Sequence, residues 1–302
     1  MHEPYAPHES YIAPARRRSM LPLVILGLAG IELFHRVSYD LLDVLLREDA
    51  PEALDAFYLG ATPLSLAAQL FSFVFLAMGV LLVARLIHHR GLASLTGPWG
   101  KLVPQFRAVF VPLLILLLAL EFLPPWWSLS TVAEVRNLAS WTAFLPIACL
   151  AVFVQIGAEE LMYRGYLQQQ LAALFPHPAA WLILTNMVFG LAHWNVAAGG
   201  AASFQYALWA FFMGLCASDL TARSGTLGPA IAFHLANNLF AFLLYGEVGG
   251  YSSGFALFLF PSGSMGGAFE DQGLSSYLSW QLLVELTILL LMWLAARIGL
   301  KR

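Results

Sequence analysis

The stretch SWTAFLPIACLAVFVQIGAEELMYRG, residues 140–165, decides what kind of protein this is. From Ser140 to Ala158 it carries no charged residue. An α-helix needs about 20 apolar residues to cross a hydrocarbon core about 30 Å thick, so this run reads as a membrane span near residues 140–158. The run then ends abruptly in Glu159-Glu160-Leu161-Met162-Tyr163-Arg164-Gly165. Ionisable groups at the edge of lipid are costly, and they are therefore candidates for function.

Outward from this stretch the same pattern repeats. Apolar runs near residues 20–38, 62–87, 106–123, 179–199, 203–222, 226–245 and 279–299 bring the expected number of spans to eight. Composition agrees: of 302 residues, 60% are hydrophobic and 11% charged, and the mean hydropathy is +0.73. A soluble domain carries about 25% charged residues, so most of this surface must face lipid. The fold class expected is all-α, a polytopic transmembrane helical bundle of about eight spans around an intramembrane polar cavity. The net charge of −3 gives no attraction for nucleic acid. Cys149 and Cys216 lie in apolar runs and read as small packing residues, not as a disulfide or a metal cluster.

The segments divide by composition. Residues 1–19 are polar, with three prolines and Arg16-Arg17-Arg18, and read as a disordered cytosolic tail. Residues 20–138 hold the amino-terminal spans, and 139–245 hold the polar clusters. Residues 246–278 form a Gly/Ser-rich outer loop with an apolar island at Phe255–Phe260, read as a flexible connector. Residues 279–302 form the last span and its end. With a cytosolic amino terminus, twelve Lys and Arg fall inside, Arg164 counted among them, and three fall outside: Arg36, Arg47 and Arg136. That asymmetry places both termini in the cytosol.

Three clusters stand where polar groups are expensive. Glu160 and Arg164 are four apart with the acid first, the favoured ion-pair order on one helix face. Glu159 lies about 100° round the helix and is left without a local counter-charge, which suits a general base. The alternative is a simple salt bridge at the membrane exit. Phe189 and His193 are four apart, so the ring can brace the imidazole. His234 and Asn238 are four apart and project from one face, where they can aim two donors at one oxygen or clamp two helices. Together an acid, two imidazoles and a carboxamide suffice for amide hydrolysis by activated water. Elsewhere, Ala202, Ala210, Gly214 and Ser218 form a small-residue seam, and Asp219 reads as solvated. Glu32 and His35, three apart on the first span, are in position to extend the polar cavity.

These clusters, in this order, resemble the signature of the CPBP family of intramembrane proteases, which includes the type II CAAX prenyl endopeptidases. EExxxR is matched by Glu159, Glu160 and Arg164 with Gly165 following, FxxxH by Phe189 and His193, and HxxxN by His234 and Asn238. The resemblance covers residues 140–245. It implies a conical cavity within the membrane, water activation by Glu159 and His193, and an oxyanion hole from His234 and Asn238. Glu160, Arg164 and Phe189 would support them. The substrate implied is a membrane-associated peptide or protein tail.

Glu159, His193 and His234 could instead hold a divalent metal such as zinc. No HExxH pairing is present and Asn238 is a poor zinc ligand, so a metal-free reaction is favoured. A non-catalytic protein that binds peptide or lipid in the same cavity, as an immunity or scaffold factor, is the alternative function. One tension is internal to the sequence. If a helix begins at Pro178, His193 lies about 22 Å along it, far from a Glu159 placed at the inner membrane edge. Continuing the helix of Glu159 to about Leu174, with Gln168-Gln169-Gln170 as its cytosolic turn, would bring the two level.

Overall fold

Proline stands in the first turn of many helices, as at Pro7, Pro22, Pro51, Pro63, Pro178 and Pro229, where its missing N–H costs nothing and its fixed φ favours the helix. The computed structural model describes residues 3–123, 129–195, 199–264 and 274–302. Within them a short 3₁₀ turn leads into α1 (Ala6–Arg16), followed by α2 (Leu21–Arg47), α3 (Pro51–Leu59), α4 (Pro63–Phe71), α5 (Val74–Leu86), α6 (Leu92–Thr96) and α7 (Trp99–Leu120). Then come α8 (Leu138–Glu160), a π-helical segment (Leu161–Leu167), α9 (Gln168–Leu174), α10 (Pro178–Ala192), α11 (Gly200–Ser224), α12 (Gly228–Leu243), α13 (Leu274–Tyr277) and α14 (Trp280–Leu300).

Six continuous helical stretches are long and apolar enough to cross a membrane: 21–47, 63–86, 92–120, 138–174, 200–224 and 280–300. The other two expected spans are shorter apolar helices, α10 with 15 residues and α12 with 16. At 1.5 Å per residue these reach only about 22–24 Å. The two short helices carry His193, His234 and Asn238 between them, so the polar groups sit where apolar helix is curtailed. The expected span at 179–199 closes at Ala192, and residues 196–198 lie outside the described residues.

The bundle is a polytopic helical membrane protein. In it α12 packs on α7, α8, α11 and α14, and α10 packs along α11. A three-stranded sheet, β1 (Glu134–Val135), β3 (Phe258–Phe260) and β2 (Tyr245–Glu247) in that order, sits at one end. β1 runs antiparallel to β3, with Glu134 opposite Leu259, and β2 runs parallel to it, with Tyr245 opposite Phe258. The connector at 246–278 is therefore tied down over its described part. Its apolar island supplies the central strand, and Phe255 is buried beside Ala148, Val152 and Leu235. Residues 265–273 lie outside the described residues.

The amino-terminal segment also differs from the disordered tail expected of it. α1 buries His8, Tyr11, Ile12 and Ala15 against α9 and α11, and the Tyr11 hydroxyl donates to the Leu95 carbonyl. Four apolar or aromatic residues at helical spacing outweigh the polar composition once a complementary floor is present. Residues 1–2 lie outside the described residues.

The run Gln168–Gln170 is not a turn. It lies in α9 at 0% exposure, because α1 covers it. Gln168 donates to the Ser218 carbonyl at 3.2 Å, and Gln169 donates to that of Ser94 at 3.1 Å. Asp219 is likewise buried, not solvated: it accepts from the Tyr5 hydroxyl at 2.7 Å and from Trp293 Nε1 at 2.9 Å, and it pairs with Arg223. The small-residue seam does what small residues do, letting α11 lie close against α10.

Candidate active site

Helix α8 does not stop at its acids. It continues through the π segment and α9 to Leu174, turns, and returns as α10 from Pro178. Glu159 stands fifteen residues before that turn and His193 fifteen residues after it, so the two are level, each about 22 Å from the hairpin. The extension inferred from sequence is the one observed. The π segment begins directly after Glu160, where the helix widens, and such segments inside α-helices frequently accompany functional sites.

Glu160 and Arg164 are both at 0% exposure. Glu160 Oε1 accepts from Arg164 Nη1 at 2.9 Å and from His234 Nδ1 at 2.8 Å. Arg164 is fixed further by Nη2 donating to Asn186 Oδ1 at 3.3 Å and by the Phe189 ring, whose centre lies 4.5 Å from its guanidinium carbon. Asn186 in turn donates to Ser218 Oγ at 2.9 Å. This close approach needs Gly214, since a Cβ there would overlap Asn186 Oδ1 and stand 2.9 Å from Arg164 Nη2. Arg164 is thus a buried structural cation and not a loop charge, which removes it from the twelve counted on the inner side.

Glu159 is 8% exposed. Its Oε1 accepts from Gln155 Nε2 at 2.6 Å. Its Oε2 is buried without a hydrogen-bond partner and lies 3.7 Å from His234 Nε2. The division between the two acids follows the sequence expectation, with one addition: His234 reaches both, touching Glu160 through Nδ1 and facing Glu159 through Nε2. Gln155 is the residue that sequence reasoning missed. It bonds Glu159 through Nε2, and through Oε1 it accepts from Asn238 Nδ2 at 3.1 Å. Asn237 Nδ2 donates to Asn238 Oδ1 at 3.1 Å. The only sequence signal for Gln155 is an amide four residues before an acid inside an apolar run.

His193 caps the end of α10. Its Nδ1 lies 2.8 Å from the Phe189 carbonyl oxygen, which can only accept, so Nδ1 carries a proton and, in the neutral ring, Nε2 is the nitrogen with the lone pair. Its ring packs on Phe189 at 4.5 Å and on Tyr206 at 5.6 Å. Phe189 also meets His234 edge-on at 6.1 Å. Glu159, Glu160, Arg164, Phe189, His193, His234 and Asn238 therefore form one connected cluster. Glu159 and His193 share the wall of a cavity of about 520 Å³ with Glu32 and His35 of α2. Asn238 lines a second cavity of about 700 Å³, and Tyr206 borders both.

The expected pair of donors aimed at one oxygen is only partly formed. His234 Nδ1 is engaged by Glu160 and one Asn238 N–H by Gln155, which leaves Nε2 of the imidazole and the second N–H of the amide. Among the described residues no three His, Cys, Asp or Glu side chains are arranged to hold a metal ion. Glu159, His193 and His234 share one cluster but do not form such a set.

Comparison with known proteins bears on the same segment. A Bacillus subtilis (strain 168) protein described as uncharacterized protein YyaK is 26% identical over 179 residues, 56% of this chain. That alignment spans 57% of the relative's own length. No solved structure matches. Residues 140–240, which contain all three polar clusters, match the family model of the type II CAAX prenyl endopeptidases, Rce1-like.

Proposed function

We propose that this protein is an intramembrane endopeptidase in which Glu159 activates water against a peptide bond of a membrane-associated peptide or protein tail. One observation carries the reading: Glu159, whose Oε2 is buried without a hydrogen bond, and His193 line the same cavity. A water there has two acceptors for its two hydrogens. Its oxygen attacks the scissile carbonyl carbon while Glu159 takes one proton. The carbonyl oxygen becomes an oxyanion and accepts from the free N–H of Asn238, and from His234 Nε2–H when the ring is doubly protonated, its Nδ1–H being held by Glu160. Glu159 then hands its proton to the leaving nitrogen as the C–N bond breaks, so the products are an acid and an amine. Glu160 and Arg164 position His234, and Gln155 positions Glu159 and Asn238.

The reaction is read as metal-independent. The test compares exhaustive chelation with Asn238→Ala on purified protein and one peptide substrate. Chelation should leave activity intact. Asn238→Ala should lower kcat about 10²–10³-fold with little change in binding of uncut peptide, because the donor acts in the transition state. Activity lost on chelation, restored by zinc and spared by Asn238→Ala would favour a metal enzyme. Peptide or lipid bound and never cut, under all conditions, would favour the non-catalytic scaffold.

A further inference from the structure

The two cavities that Tyr206 borders share an electrostatic character. The first is bordered by the carboxylates of Glu32 and Glu159, with the imidazoles of His35 and His193. The second is bordered by Glu247 and Glu285. No Lys or Arg lines either one among the described residues. Residues 1–2, 124–128, 196–198 and 265–273, which lie outside the described residues, contain no Lys or Arg in the sequence. Arg164 is close by, but it is buried behind Glu159, with Glu160 and Asn186 as partners.

Glu159 and His193 line the first cavity, Asn238 lines the second, and Tyr206 borders both. A chain laid past Tyr206 would place one flank in each cavity. Glu159 Oε2 is already a buried acceptor without a donor. A substrate carboxylate brought beside it, or beside Glu32, meets like charge in a medium that screens weakly. An ammonium or guanidinium meets carboxylate oxygens, of which Glu159 Oε2 is buried without a hydrogen bond. Like-charge juxtaposition of this kind is a common means of rejecting wrong partners.

We propose that the two cavities hold the substrate on either side of the scissile bond and select cationic over anionic flanking residues, with Glu32 and Glu285 as the selecting carboxylates. The preferred substrate is then a peptide segment bearing Lys or Arg near the cleavage point. A free carboxylate or acidic side chain close to that point is disfavoured. Glu32 belongs to α2, outside residues 140–240, so the amino-terminal spans take part in recognition. The inference rests on the endopeptidase reading, but it can fail separately.

The test uses the full-length protein in detergent with three matched peptides, carrying Lys, Gln or Glu at one flank, and a second such trio for the other flank. In the unaltered protein, kcat/KM should fall about tenfold from Lys to Glu at each flank. Glu32→Gln should remove the discrimination at one flank and Glu285→Gln at the other, read as the Lys-to-Glu ratio of kcat/KM within each variant. Equal or faster cleavage of the Glu peptides, or discrimination unchanged in both variants, overturns the proposal while leaving the protease reading standing. Binding of the same peptides to Glu159→Gln separates the two ideas. Charge-ranked binding without cleavage in any form of the protein would uphold the selecting carboxylates and sink the protease.

Discussion

Arg164 holds three parts of the site together. It is the cation for Glu160, it reaches Asn186, and it lies over the face of Phe189, all at 0% exposure. Arg164→Ala leaves Glu160 buried beside His234 alone, and removing one partner of a buried pair costs about 3–5 kcal/mol. The expected outcome is a lower unfolding temperature in detergent and reduced abundance. Arg164→Lys should not restore either, because a point charge cannot serve two acceptors and a ring from that geometry. An unaltered melting curve for Arg164→Ala would mean that Glu160 does not depend on it. Gln155 tests a different kind of dependence. Gln155→Leu fits an apolar run and frees both Glu159 and Asn238 from their brace. We expect kcat to fall about 10–10²-fold with KM and stability nearly unchanged, as displacement of reacting groups by a fraction of an ångström does. A change confined to KM would make Gln155 a substrate contact. The charged motif residues were legible in the sequence because an acid or imidazole in lipid needs a reason. Gln155 and Asn186 were not, and Ser218 was legible only as a small packing residue, because a single neutral amide or hydroxyl in an apolar run announces nothing until the facing helix is known.

At the scale of elements, α1 is the clearest departure from what composition suggests. Its residues are polar on average, and only the floor formed by α9, α11 and Trp181 gives its four buried side chains somewhere to go. His8 shows how that docking responds to pH. It is buried, its ring lies 4.6 Å from that of Trp181, and Gln168 Nε2 stands 3.3 Å from its Nε2. Burial, with a smaller contribution from the Arg16 charge, pulls its pKa from the ordinary 6.5 down to about 3. The undocked state binds the proton more readily than the docked state, so docking is at full strength above pH 6.5. It weakens as pH falls from there toward 3, by about 1.4 kcal/mol per unit. Protection of the amides across residues 6–16, corrected for the intrinsic pH dependence of exchange, should therefore fall between pH 7.5 and pH 5, and His8→Phe should abolish that fall. Protection that ignores pH in the unaltered protein would show that His8 is solvated. The long helix 138–174 was recoverable in advance only because two motifs had to meet, and a 22 Å mismatch forced the acids deeper. Its π segment had no signal in sequence periodicity.

At the scale of the whole molecule, the cavities and the floor lie at opposite ends. Trp194 and Asn195 just beyond α10, and Tyr245–Ser253 beyond α12, border the two cavities. α1, the buried glutamines of α9 and the Asp219 cluster close the other end. The closed end carries eleven of the fifteen Lys and Arg, Arg164 is buried in the site, and the open end carries Arg36, Arg47 and Arg136 among many acids. If basic residues stay in the cytosol, the site opens away from it. Reporter fusions at residues 90 and 300 should then be cytosolic and one at residue 50 external. A sharper measurement uses Asn237→Cys, a position on the cavity wall, in a background where Cys149 and Cys216 are replaced by Ala. A membrane-impermeant thiol reagent added to intact cells should modify it, and Gln168→Cys, under α1, should stay unmodified. In inside-out vesicles the Asn237→Cys signal should disappear. Labelling of Asn237→Cys only in inside-out vesicles, together with an external reporter at residue 90, would invert the molecule. The selecting carboxylates would then face cytosolic chains, and the basic end would be the one exposed to the exterior.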